Sequence, residues 1–298
     1  MKKANILATA ALATLLAACS NDSDVFNTPD YADTPIGLNV NVSPMATRAG
    51  YEQGALTEGS FGLYLTTEGT NSDERYNCTN REVKYDNGWT IQGGQLLWKS
   101  NDATVTYYAY LPYTGTVSDA TNYAFTVQTD QSTEDNVKAS DLLCTGQQPA
   151  TPGTALDITF KHALSKLNVT LKKGSELDEG VTFKSVKLSN CATATTVNLT
   201  DGTTDTATKS QTITLYAATE NEQYECILVP QTFNQTLKVE ITDNNGKVYT
   251  FTSNKELTFA SGEEYTLNLT VGRDKVTTGT ISADPWGEEQ QGGDLVTE

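Results

Sequence analysis

Ile36-Gly37-Leu38-Asn39-Val40-Asn41-Val42 places four apolar side chains at every second position, with glycine and asparagine between them. A period of two puts Ile36, Leu38, Val40 and Val42 on one side of an extended chain, which describes a strand with one buried face. Ser43-Pro44 ends it, because proline cannot donate to a ladder. The alternation returns at Phe61 to Thr66, Thr104 to Leu111 and Tyr123 to Gln128, then in Leu156, Ile158, Phe160 and His162. Leu167, Val169 and Leu171 follow in the opposite parity, and this shift predicts a bulge or bend between Ala163 and Lys166. Leu237, Val239 and Ile241, then Tyr265, Leu267, Leu269 and Val271, complete the series. Between Ile241 and Val248, Asp243-Asn244-Asn245-Gly246 predicts a hairpin with a type I′ turn. No stretch after the first eighteen residues shows a helical period. The chain reads all-β.

At 298 residues there is room for two β-sandwiches, each needing roughly 100 residues. The densest Pro and Gly punctuation, Gly146 to Gly153, sets the boundary between a first sandwich over 36–155 and a second, with its C-terminal tail, over 156–298. The formal charge is −17, with the acid spread along the chain. Such a surface repels phosphate backbones and speaks against nucleic acid as a partner. A solvated, soluble exterior accounts for it.

Residues 1–18 have the three parts of a secretory signal: Lys2 and Lys3, an apolar run from Ala4 to Leu16, and small residues after it. Leu16-Ala17-Ala18-Cys19 resembles the lipobox, in which Cys19 is diacylated on sulfur and becomes the new N-terminus. Each buried methylene of such an anchor contributes about 0.8 kcal/mol. Residues 19–35 hold Asp22, Asp24, Asp30 and Asp33 without an apolar period, and read as an acidic tether. The expected location is the surface of the outer membrane. Covalent lipid is the one non-protein group expected, with no cofactor and no metal. Cys78, Cys144, Cys191 and Cys226 remain, in no metal-ligand spacing. They are expected as buried free thiols, with a Cys191 to Cys226 bridge as the alternative.

Nucleophilic catalysis by Ser or Cys needs a base, and the chain has one histidine, His162. It lies in phase with Phe160 on the apolar face and reads as a hydrogen-bonded core residue. No pair of carboxylates stands out for glycosidase chemistry, and Gly93-Gly94 and Gly292-Gly293 are turn signals without a phosphate-loop pattern. An enzyme is not expected. A monomeric surface glycan-binding lipoprotein, using Trp89, Trp98 and Trp286, is the alternative function; core packing is the expectation for those three side chains.

The lipobox, the aromatic run Tyr107 to Tyr113 and Phe160-Lys161-His162-Ala163-Leu164-Ser165-Lys166-Leu167-Asn168-Val169 come in a telling order. Val229-Pro230-Gln231 and a late Trp286, followed by Gly292-Gly293-Asp294, continue it. In these features the chain resembles the fimbrillin family, the Mfa-like or type V pilins of anaerobic Gram-negative gut and oral bacteria. The resemblance implies two transthyretin-like β-sandwich domains and a lipoprotein clipped after an arginine by a trypsin-like protease. It implies a subunit of surface fimbriae, in the stalk or as a tip adhesin, whose partners are other fimbrial subunits joined by strand addition. Host or bacterial surface ligands are further candidates. Arg48 and Ala49, in the small-residue run Met45 to Gly50, match the clipped bond. Ile36, Leu38, Val40 and Val42 match the strand to be displaced. The acidic, Gly-rich tail from Gly287 to Glu298 departs from the C-terminal donor strand usual in the family. Lys275 to Ala283 is the alternative donor, or the chain accepts a strand without giving one.

Cys19→Ala is expected to leave the protein unlipidated and off the outer membrane. Radiolabelled palmitate supplied to the cells checks this, and label in the variant would remove the lipobox reading.

Overall fold

Alternating apolar and polar residues, rich in Thr, Val and Tyr, suit pleated strands with one face turned inward. The computed structural model describes residues 29–43, 51, 54–70 and 73–285. Among these, every strand belongs to the second of two compact units, Met1–Asp30 and Tyr31–Glu298. In chain order they are β1 (Leu38–Val42), β2 (Gly54–Ala55), β3 (Ser60–Thr67), β4 (Cys78–Tyr85), β5 (Trp89–Ile91), β6 (Val105–Leu111) and β7 (Tyr123–Thr126). A helix α1 (Glu134–Ser140) follows, then β8 (Leu143–Cys144), β9 (Gln148–Ala150), β10 (Leu156–His162), β11 (Ser165–Lys173) and β12 (Phe183–Val197). The last nine are β13 (Thr208–Thr214), β14 (Tyr216–Thr219), β15 (Gln223–Leu228), β16 (Gln231–Asn234), β17 (Lys238–Asp243), β18 (Val248–Thr252), β19 (Glu256–Phe259), β20 (Glu263–Val271) and β21 (Val276–Pro285).

One nine-stranded sheet runs β2-β1-β10-β8-β6-β3-β4-β5, with β9 also on β6. Two five-stranded sheets run β14-β15-β11-β20-β21 and β13-β12-β17-β18, the latter with β7 on β12; β16 and β19 pair separately. The Tyr224 hydroxyl of β15 donates to the Phe183 carbonyl of β12 at 2.8 Å, joining the two smaller sheets across their interior. Phe61 of β3 meets Phe160 of β10 edge-on, 5.4 Å between ring centres, inside the large sheet's core. The aromatic run is spent there too: Tyr64 and Tyr108 stack at 4.5 Å, and the Tyr110 ring lies across Gly62. A methyl added at Gly62 would stand 2.2 Å from the Tyr110 Cε1, so no other residue fits beneath that ring.

The structure departs from two sequence expectations, on helix and on turn type, and gives the physical cause of a third feature. A helix is present after all: Thr133 caps α1 by accepting from the Asn136 N–H, acidic Glu134 and Asp135 sit in its first turn, and Lys138 in its last. Seven residues are too few to display a helical period. The parity shift after His162 is the bend expected there, at Ala163 and Leu164, and not a bulge within one strand. There the chain leaves the large sheet through Ala163 and Leu164 and enters a small one, so β10 and β11 answer to different neighbours. The β17–β18 hairpin forms, yet only Gly246 has a positive φ, +83° among its loop residues. The Gly246 N–H donates to the Asp243 carbonyl, which gives an ordinary turn followed by a left-handed glycine.

Two glutamine side chains take the place of strand backbone. Buried Gln131 accepts from the Ile227 N–H at 2.8 Å and donates to the Ile227 carbonyl at 2.9 Å, beyond the last β14–β15 pair. Gln231, from the Val-Pro-Gln run, does the same to Ala192 of β12 at 2.8 and 3.1 Å. Gln131→Ala strips both Ile227 groups of these bonds in the interior, an expected loss of about 1 to 3 kcal/mol for each. Urea denaturation followed by tryptophan fluorescence checks it.

Candidate functional site

The leading strand β1 lies between two neighbours. It runs parallel to β10 in unbroken register, Leu38 opposite Leu156 through Val42 opposite Phe160. The Leu156 N–H donates to the Gly37 carbonyl and the Ser43 N–H to the Phe160 carbonyl, both at 2.9 Å, so both ends of the ladder are fixed. On its other edge Asn41 and Val42 pair with Ala55 and Gly54 of β2, and the Leu56 N–H donates to the Val40 carbonyl at 3.3 Å. Ile36, Val40 and Val42 are buried and Leu38 is half-buried, while Asn39 faces solvent and donates to Asp157. The period-two reading thus places all four apolar residues on one face. Ahead of β1, the Ile36 N–H donates to the Leu96 carbonyl at 2.9 Å, and the Asp33 N–H to the Trp98 carbonyl at 2.7 Å.

Cys19, Arg48, Ala49 and Trp286 lie outside the described residues, as does the tail from Gly287. Arg48 falls in sequence between the end of β1 and Tyr51, a buried residue. The Tyr51 N–H donates to Asp141 Oδ2 at 3.2 Å. Asp141 and His162 are both buried, with Nδ1 of His162 2.6 Å from Asp141 Oδ1. A carboxylate only accepts, so Nδ1 carries the proton. The sequence placed His162 in the core but gave no sign of Asp141 or Tyr51 as its associates, because nothing in a lone aspartate beside Leu142 marks it as buried.

The remaining candidates are engaged in packing. Trp98 is 1 % exposed, and the Trp89 indole donates to the Leu56 carbonyl at 3.1 Å. Burial pushes the Cys78, Cys144 and Cys191 thiols up to about 12 and raises Cys226 well above its usual value, which holds these four free cysteines as poor nucleophiles. Among the described residues no three His, Cys, Asp or Glu side chains group as metal ligands. Lys275 to Ala283 lies largely within β21, which pairs with β20 alone at the edge of its sheet. Val276, Ile281 and Ala283 there are half-buried.

The sequence pattern of the fimbrillin-like family matches residues 47–286. The chain belongs to the fimbrillin-like family. This fimbrillin-like chain is 26% identical over 284 residues to Fim1C, a candidate fimbrium subunit of Bacteroides uniformis, covering 92% of each. Its fold matches a candidate cell adhesion protein from Bacteroides ovatus, with a TM-score of 0.65 at 17% identity, over 87% of this chain and 100% of that one. Another from Bacteroides uniformis gives 0.61 at 19% identity, over 84% and 97%. These likenesses are in fold.

In this fimbrillin-like chain His162→Leu takes a donor from a buried carboxylate. Hydrogen bonds to charged groups contribute roughly 1.5 to 3 kcal/mol, and the unfolding free energy is expected to fall by that amount. Chemical denaturation measures it, with circular dichroism showing the strands retained.

Proposed function

We propose that this chain is a structural subunit of cell-surface fimbriae, in the stalk or at the tip, and that it works without catalysis. It reaches the outer membrane by lipid on Cys19, is cut between Arg48 and Ala49, and joins its neighbours by exchanging β1 for a strand of another subunit. The observation that carries this reading is the setting of β1: three buried side chains and hydrogen bonds on both edges, in a segment joined to the body through the residues around Arg48. While that link is intact, β1 has a high effective concentration beside its slot and the precursor stays closed. Each fully buried aliphatic side chain contributes about 1.5 to 3 kcal/mol to holding it there. Once the link is cut, a neighbour's strand competes on equal terms, with ladder bonds supplying affinity and alternate side chains supplying fit. Residues 275–283 are the donor candidate, since β21 is an edge strand with few large apolar residues inward.

Limited trypsin treatment of the purified precursor is expected to cut first between Arg48 and Ala49. The trimmed product then forms ladders on electrophoresis when a donor strand is supplied, and Arg48→Ala blocks both the cut and the ladder. Trimmed protein that never takes up a strand, while the untrimmed form performs the surface function, would overturn strand exchange.

A further inference from the structure

We infer that β2 is a rim pinned from both ends independently of β1, which keeps the outer edge of the β1 slot in place for an extended strand of a second copy; Tyr51 and Asp141 form the upstream pin. The inference rests on the strand-exchange reading and concerns what the slot looks like while its strand is being replaced.

β2 is two residues long, and among the described residues its one strand neighbour is β1. So short a ladder has no stability of its own, and with β1 gone nothing in the sheet would hold it. The flanking residues hold it instead. Upstream, Tyr51 is 7 % exposed, and its N–H is bonded to Asp141. Asp141 is itself fixed on two more sides: His162 donates to it at 2.6 Å, and its own N–H closes α1 by donating to the Lys138 carbonyl at 3.2 Å. The Tyr51 hydroxyl lies against Gly59, where an added methyl would stand 3.7 Å from it. Burial, and then the Asp141 and Glu58 carboxylates, push this phenol up to about 12, so it stays neutral. Downstream, Leu56 is buried and its carbonyl accepts from the Trp89 indole.

None of these hydrogen bonds uses an atom of β1. The Leu56 N–H is the exception in the other direction, since it is spent on the Val40 carbonyl and becomes available when β1 leaves. An incoming strand therefore meets a slot with both walls standing, β10 on one edge and β2 on the other, and does not have to order the rim as it binds. Tyr51, three residues ahead of β2, and Asp141 are positioning residues for that rim.

The test uses the full chain cut by trypsin after Arg48 and mixed with a fluorescent synthetic peptide of residues 34–43. Uptake is followed by polarisation and limited by the departure of β1. Tyr51→Ala and Asp141→Asn are expected to speed uptake about tenfold, because a loosened rim raises the rate of release. Val239→Ala, which destabilises β17 in a different sheet, is expected to leave the rate within about twofold. Tyr51→Ala leaves the Asp141–His162 pair intact and carries the test alone if Asp141→Asn does not fold. Rates in the pin variants equal to that of the unsubstituted chain would overturn the rim, as would equal acceleration by Val239→Ala. No uptake by any cut chain would instead remove the strand-exchange reading, and the rim's role with it.

Discussion

The hydrogen-bonded edge of β10 is the constraint around which the large sheet is arranged. An all-β chain must find a partner for every backbone N–H and C=O it buries, and β10 is flanked by β1 on one side and β8 on the other. Parallel neighbours cannot be joined by a tight turn, so β1 and β10 come together from positions over a hundred residues apart in sequence. The N-terminal segment is thereby an integral strand of a sheet completed only by the middle of the chain. Just ahead of β1, residues 33–36 also bond to residues 96–98.

Where strands ran with clean alternation, they were legible in the sequence. Ile36 to Val42, Leu156 to His162, Leu237 to Ile241 and Tyr265 to Val271 all lie in strands or lead directly into one, with the alternate residues inward. The fifteen-residue β12 escaped notice because its parity breaks in the middle. Asn190 takes a positive φ of 64° and the register slips between Leu188 and Cys191, so inward residues change from even to odd positions. The glutamine contacts of Gln131 and Gln231 were equally invisible, since a side-chain amide imitating a peptide group has no periodicity. The candidate site was half legible. Its apolar residues follow from spacing, whereas β2, Tyr51 and Asp141 are defined only by what folds against them.

Two close pairs of ionisable side chains lie in the interior among the described residues. Lys166 and Glu225 lie 2.9 Å apart with side chains 1 % and 4 % exposed, on neighbouring strands β11 and β15. Two charges taken from water regain little net stability from each other, but a slip of either strand would separate them inside the core. Such a pair penalises wrong register more than it rewards the right one. Asp141 and His162 impose a similar condition on the end of α1 and the end of β10, where the chain is about to change sheets.

The contact between Gly62 and Tyr110 has a bearing on how this sequence can change over generations. The ring occupies the space a side chain at residue 62 would need, and its hydroxyl is tied down by donating to the Thr114 carbonyl at 2.7 Å. A methyl at 62 therefore collides with a ring that has nowhere to swing. Shrinking the residue at 110 first leaves a cavity, costly but foldable, and releases Asn80, whose Oδ1 lies 2.7 Å from the Tyr110 hydroxyl and would also stand 2.7 Å from that methyl, so a larger residue at 62 can later grow. The two positions can thus drift in one order and not the other, and in descendants of this chain a residue other than glycine at 62 implies that the tyrosine at 110 was lost before it.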